Sequence, residues 1–256
     1  MSNSKLATYV RLSPNCTKPR TQRIMGVAIH CTAGGKDLPA RKFADMERFA
    51  TAMKNGASCH YVVGGDGSIA QVCLEENRAW CTSNHIDHCL VTIEVASDST
   101  APYLVNTIAV TALIDLLVDI CKRNGIQKLL WQGKKTLMGQ WDKQNMVVHR
   151  WTANKACPGD FLYNLHGKIA EAVNADLAEA EEEEEPVDVS KLTNEQCYEI
   201  VAKAMEHAET MPEPVWSRVD GHWARATEKG IVNGNGPERP IKRDEVITIL
   251  GRLGLL

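Results

Sequence analysis

The sequence predicts an α/β domain built on one central β-sheet covered by helices, followed by a small all-α unit. Three observations carry that expectation. Apolar runs of strand length, at residues 23–29, 60–63, 68–72, 91–95 and 147–148, are interleaved with segments of helical period at 39–55, 107–123 and 161–178. The acidic stretch 178–185, closed by Pro186, then interrupts the pattern, because like charges extend a chain and proline stops a helix. Beyond it the apolar spacing is helical only.

Each element has a local cause. Residues 23–29 form an unbroken apolar run after Arg23, the mark of a strand buried on both faces. In 39–55, Phe43, Met46, Phe49, Ala50 and Met53 recur at helical spacing. His60-Tyr61-Val62-Val63 and Ser68-Ile69-Ala70-Gln71-Val72 flank Gly64-Gly65-Asp66-Gly67, which reads as a hairpin. The helix at 107–123 stops at Asn124-Gly125, where glycine supplies a left-handed cap. In the second unit, Thr193-Asn194-Glu195-Gln196 fits a capping box ahead of a first helix. Further helices are expected over about 213–229 and from about 242. The expected domains are therefore 1–176, an acidic linker at 177–189, and a small helical domain at 190–256.

Composition narrows the class. With 44% hydrophobic and 24% charged residues the chain is an ordinary globular one. No apolar run is long enough for a bilayer, and the N-terminus has no apolar core like that of a signal peptide. The expectation is synthesis in the cytoplasm, with the nine cysteines as reduced thiols. Charge is unevenly placed. Residues 1–170 carry 20 Lys+Arg against 13 Asp+Glu, whereas 171–188 carry nine acids and no base. A positive first domain favours an anionic partner such as a cell-wall polymer. No dense basic stripe with interleaved aromatics argues for nucleic acid.

His30, His149 and Cys157 stand out. His30 ends the run Gly26-Val27-Ala28-Ile29, and His149 ends Met146-Val147-Val148. Cys157 follows within Lys155-Ala156-Cys157-Pro158-Gly159-Asp160. Strand ends are rigid and point side chains into the loop layer, where sites are built. Two imidazoles and a thiolate leave one zinc position open for water, the arrangement of a hydrolytic rather than a structural centre. Taken singly, each has a plainer reading: a buried histidine is ordinarily a hydrogen-bonded core residue, and a buried cysteine a small hydrophobe.

These residues resemble those of the zinc-dependent N-acetylmuramoyl-L-alanine amidases, a group that includes phage endolysins and is similar to peptidoglycan recognition proteins. Ile29-His30-Cys31-Thr32-Ala33-Gly34 looks like the first zinc motif, and Ser58-Cys59-His60-Tyr61-Val62-Val63 with Asp66-Gly67-Ser68-Ile69 like the central hairpin. Ala79-Trp80 and Thr92-Ile93-Glu94-Val95 follow in order, and His149-Arg150 through Asp160 resembles the closing motif. The resemblance implies a central mixed β-sheet flanked by helices, with Zn2+ held by His30, His149 and Cys157. It implies cleavage of the amide joining N-acetylmuramic acid to the L-alanine of the stem peptide. Lys155 matches the lysine that stabilises the oxyanion, and Glu94 the carboxylate that shuttles the proton. His60, Tyr61 and Trp80 are the candidate substrate-binding residues, with Tyr61 a second candidate for the proton. The chain departs from the family at Cys81, where a histidine often follows the Ala-Trp pair.

In the tail, Trp223-Ala224, Gly230-Ile231-Val232-Asn233-Gly234 and Ile241-Lys242-Arg243-Asp244-Glu245 resemble part of an S-layer-homology repeat. That resemblance implies a cell-wall polymer as partner; the plainer reading is a helical cap or a self-association unit. The leading expectation is an endolysin that acts on the wall after release. The alternatives are a muropeptide-binding module without catalysis, and an intracellular amidase that recycles muropeptides.

Overall fold

The computed structural model describes residues 3–54, 56–184 and 193. The chain divides into two units, Met1–Glu184 and Glu185–Leu256. The capping box and helices expected at 190–256 lie outside the described residues.

The first unit contains β1 (Tyr9–Val10), β2 (Cys16–Thr17), β3 (Gly26–Cys31), α1 (Ala40–Ala44), α2 (Glu47–Ala50), β4 (Tyr61–Val63), β5 (Ile69–Gln71), β6 (Arg78–Ala79), β7 (Leu90–Val95), α3 (Thr107–Asn124), β8 (Met146–Val147) and α4 (Gly159–Glu184). Six strands form one mixed sheet in the order β1-β5-β4-β7-β3-β8, and β2 pairs with β6 separately. Only the β4–β5 hairpin is antiparallel within the large sheet. The fold is thus α/β with a mixed central sheet flanked by helices, as the sequence leads one to expect.

Register decides which side chains share a face. Ile29 lies beside Ile93, which lies beside Tyr61. These residues join Leu113, Leu116, Leu117 and Ile120 of α3 and Leu162, Ile169 and Val173 of α4 in the main core. One residue further along, His30 lies beside Glu94, and Glu94 beside Val62. Side chains alternate across a sheet, so His30 and Glu94 sit on the opposite face. On that face Val62 and Ala70 pack with Phe43, Phe49 and Val72.

β3 begins three residues later than expected and runs on to Cys31, so His30 lies inside the strand rather than after it. Its glycine is there for space: a Cβ on Gly26 would meet the Asn145 carbonyl, whose oxygen accepts from Val27 N–H. Gly26→Ala is therefore expected to destabilise the fold by about 1–3 kcal/mol through overpacking. A lowered thermal midpoint checks this; an unchanged midpoint removes the close approach as a constraint.

The helix expected at 39–55 is two short helices, broken where Met46 turns extended at ψ 139°. Phe43 and Phe49 are both fully buried in the same cluster. Six residues apart on one straight helix they would point about 120° apart, and the break lets both face inward. Met53, expected on the apolar stripe, is 43% exposed beyond the helices. α4 begins at Gly159 and continues to Glu184, through acidic residues expected to be linker. Glu and Ala are strong helix formers, and like-charge neighbours cost only tenths of a kcal/mol each, so composition outweighs repulsion there. The stop at Asn124-Gly125 is as expected, with Gly125 left-handed at φ 67°. Among the described residues no helix is long and apolar enough to cross a membrane.

Candidate metal centre

Strand β3, between β7 and β8, presents His30 only 1% exposed. Cys157 reaches it from the loop before α4: its Sγ lies 3.3 Å from His30 Nδ1 and accepts from the Cys31 N–H at 3.5 Å. His149 starts a short 3-10 turn directly after β8 and Val148, and its ring centroid is 5.0 Å from that of His30. One ligand atom from each of His30, His149 and Cys157 falls within 4.8 Å of the others.

The donors also fit a metal chemically. Nε2 of both His30 and His149 is buried without a hydrogen-bond partner. Buried polar atoms are normally satisfied, so two orphaned nitrogens beside one thiol point to a missing partner of another kind. Burial, then the neighbouring His149 and His166, push His30 down to about 3. Burial, then the Lys155 ammonium, also lower His149. Both rings are therefore neutral at neutral pH, the form that ligates metal. Cys157 is held well above the usual thiol range by its hydrogen bond with Cys31, by burial and by Glu94. Metal uptake must then expel the thiol proton.

Arg150 fixes the geometry. Its backbone N–H donates to the Cys157 carbonyl, and its guanidinium to the Ala156 carbonyl and to Asp160. The guanidinium also lies over the Tyr163 ring, 4.7 Å from its centroid. The His149 turn is thus tied to the Cys157 loop. Beneath it, Trp131 and Trp151 stack at 5.2 Å, and Trp131 meets His166 at 4.5 Å. The signal for Arg150 in the sequence is only its position beside His149; its partners lie in the following loop and helix.

Glu94 is brought to the site by register, with Oε2 buried and unpartnered. Burial pushes its carboxyl up to about 7, against the pull of Arg48. Lys155 is exposed on the Cys157 loop, within electrostatic reach of His149. Trp80 is half-buried, and its Nε1 donates to Thr17 Oγ1.

His60 and Tyr61 are not brought there. His60 is completely buried, its Nδ1 accepting from the Thr92 N–H and its Nε2 facing the Asn77 carbonyl and Arg20. Tyr61 points into the α3 face, where its hydroxyl donates to Glu75 and accepts from Ser4 N–H. Burial and Glu75 raise its pKa further above the ordinary phenol value. The resemblance offered Tyr61 as a substrate-binding or proton-handling residue; the pleat turns it to the α3 face, opposite His30 and Glu94. Tyr61→Phe should cost about 1–3 kcal/mol in stability, by stranding the buried Ser4 N–H and removing one donor from Glu75, which keeps Arg123 and Asn124, and leave kcat unchanged. A fall in kcat without a fall in thermal midpoint would return Tyr61 to the chemistry.

Among solved structures, a mutant endolysin from Bacillus subtilis is 15% identical, with 64% of this chain and 97% of that one covered, at a TM-score of 0.46. A selenomethionine derivative of AmpD is 17% identical, with 68% and 96% covered and a TM-score of 0.48. Drosophila peptidoglycan recognition protein SA is 16% identical, with 62% and 91% covered and a TM-score of 0.47. Likenesses at this level assign no residue a role. No curated protein sequence matches the chain. The family of N-acetylmuramoyl-L-alanine amidases matches residues 20–160, a span that contains β3, β7 and the whole His30–His149–Cys157 constellation. That match covers more than half of the chain, which belongs to the N-acetylmuramoyl-L-alanine amidase family.

Proposed function

We propose that this chain is a zinc-dependent peptidoglycan hydrolase of the endolysin type. Its bond is the amide between the lactyl group of N-acetylmuramic acid and the L-alanine of the stem peptide. The observation that carries this reading is the pair of orphaned, buried imidazole nitrogens converging with Cys157. His30, His149 and Cys157 would hold the ion. When bound, zinc supplies Lewis acidity at the scissile carbonyl and lowers the pKa of a water to about 7.

The chain's own residues do the rest. Glu94, on the neighbouring strand, takes the proton from the attacking water and delivers it to the leaving L-alanine nitrogen. A carboxyl near neutrality serves both directions of that transfer. Lys155 offers its ammonium to the oxygen that gains charge as the carbonyl becomes tetrahedral. Trp80 lines the approach for the glycan or peptide. Arg150 keeps the His149 turn and the Cys157 loop in one geometry. Residues 190–256 would serve wall binding or self-association.

Digestion of purified peptidoglycan, followed by mass spectrometry, tests the reading. Free stem peptides beginning with L-alanine should appear, vanish with a zinc chelator and return on adding zinc. A folded, zinc-loaded protein that sediments with sacculi but releases nothing would be a binding module instead. Cleavage of soluble muropeptides with intact sacculi untouched would make the chain a recycling amidase.

A further inference from the structure

The candidate ligand Cys157 has a second thiol against it. Cys31 ends β3, one residue after His30, and its N–H donates to the Cys157 sulfur at 3.5 Å. The two thiols are also hydrogen-bonded to each other. Both side chains pack on the main core. Cys31 is not among the three donors that converge on the metal position, and the amidase reading gives its thiol no task.

The two sulfurs stand on different supports. Cys31 is held by the ladder, beside Val95 of β7. Cys157 is half-buried, at the end of a loop whose residues 154–156 are exposed. The Cys31 nitrogen is one bond of about 1.5 Å from its Cα, so that Cα lies within about 5 Å of the Cys157 sulfur. A disulfide sets its two Cα atoms about 4.4–6.8 Å apart. Side chains already in contact reach that span through rotation and a small adjustment of the exposed loop, with β3 left in place.

We propose that Cys31 and Cys157 form an oxidative switch, in which a low-molecular-weight disulfide joins them in a reversible Cys31–Cys157 bond that takes the third ligand from the metal. One sulfur attacks the oxidant and releases its first thiol; the other attacks the mixed disulfide and releases the second. Two electrons pass from the protein sulfurs to the oxidant. Of the two protons on the released thiols, one comes from Cys31 and the other from solvent, since a metal-bound thiolate carries none. The ligand form of cysteine is the thiolate, so His30 and His149 alone remain and the ion leaves. A thiol reductant reverses the change. The bond rests on the contact between the two cysteines; its effect on turnover rests on the amidase reading above.

The test is to treat the zinc-loaded full chain with oxidised glutathione. Mass spectrometry should find a species two hydrogens lighter than the reduced chain, and a linked peptide pair holding Cys31 and Cys157. The bound zinc should pass to a chromogenic chelator, with turnover lost in the same proportion. Dithiothreitol and added zinc should restore it. Cys31→Ser should start with the same zinc and turnover as the unaltered chain, and yield only the heavier glutathione adduct. Cys31→Ala takes its place should the serine variant fail to fold by circular dichroism. Adducts alone in the unaltered chain, or links only between other cysteines, would overturn the pair. A linked pair with zinc retained and turnover intact would overturn the switch. A chain that forms the bond and frees its zinc, yet never cleaves peptidoglycan, would keep this inference and defeat the amidase reading instead.

Discussion

Cys157→Ser is expected to lose most of the tightly held metal and to lower amidase turnover by more than about 100-fold, beyond what loss of an outer-sphere partner costs. The reason lies in the donor set. His30 and His149 are both neutral, so Cys157 is the only ligand of the three that brings negative charge to a divalent ion. A serine hydroxyl is nearly isosteric but stays neutral near pH 7, and an imidazole pair alone is an incomplete zinc set. Metal per chain after dialysis, together with kcat on muropeptide, checks the prediction. Cys31→Ser is the control. Cys31 contacts Cys157 but packs with the α3 core, so its loss should leave metal content intact. Full zinc and full turnover in Cys157→Ser would remove Cys157 from the site. Because the Cys157 thiol must lose its proton to bind, uptake should strengthen as pH rises and weaken as it falls.

Glu94→Gln is expected to keep the tight metal and to slow kcat by about 10²–10⁴-fold, the usual span for a lost general acid–base. Glutamine fills the same space beside His30 and Val62 in the ladder. It neither accepts the water's proton nor passes one to the leaving nitrogen. KM should move little, since the group acts on the proton rather than on ground-state binding. Metal content, thermal midpoint and kcat measured on one preparation separate the possibilities. An unchanged kcat would exclude Glu94 from proton transfer. Loss of the tight metal would instead make Glu94 part of the first ligand set.

The sequence by itself determined the class of fold and the identities of the converging donors. Strand-length apolar runs, the Gly64-Gly65-Asp66-Gly67 turn and the Gly125 cap are local signals, and the hairpin, β7 and α3 formed where those signals lay. His30, His149 and Cys157 were legible because the ends of apolar runs and a distinctive loop are short-range contexts. Tertiary structure decided what depends on register and on distant partners. β1, β2 and β6 are two residues each, too short for any periodicity. The break in the 39–55 helix follows from the need to bury Phe43 and Phe49 together, which no helical count reveals. Tyr61 and Glu94 are both strand residues followed by valine in the chain, yet one enters the α3 core and the other lies beside His30 on the opposite face. The physical reason is the period of two in a pleated strand: a shift of one residue exchanges one face of the sheet for the other. Only the paired register of β3, β4 and β7 settles which residue goes where.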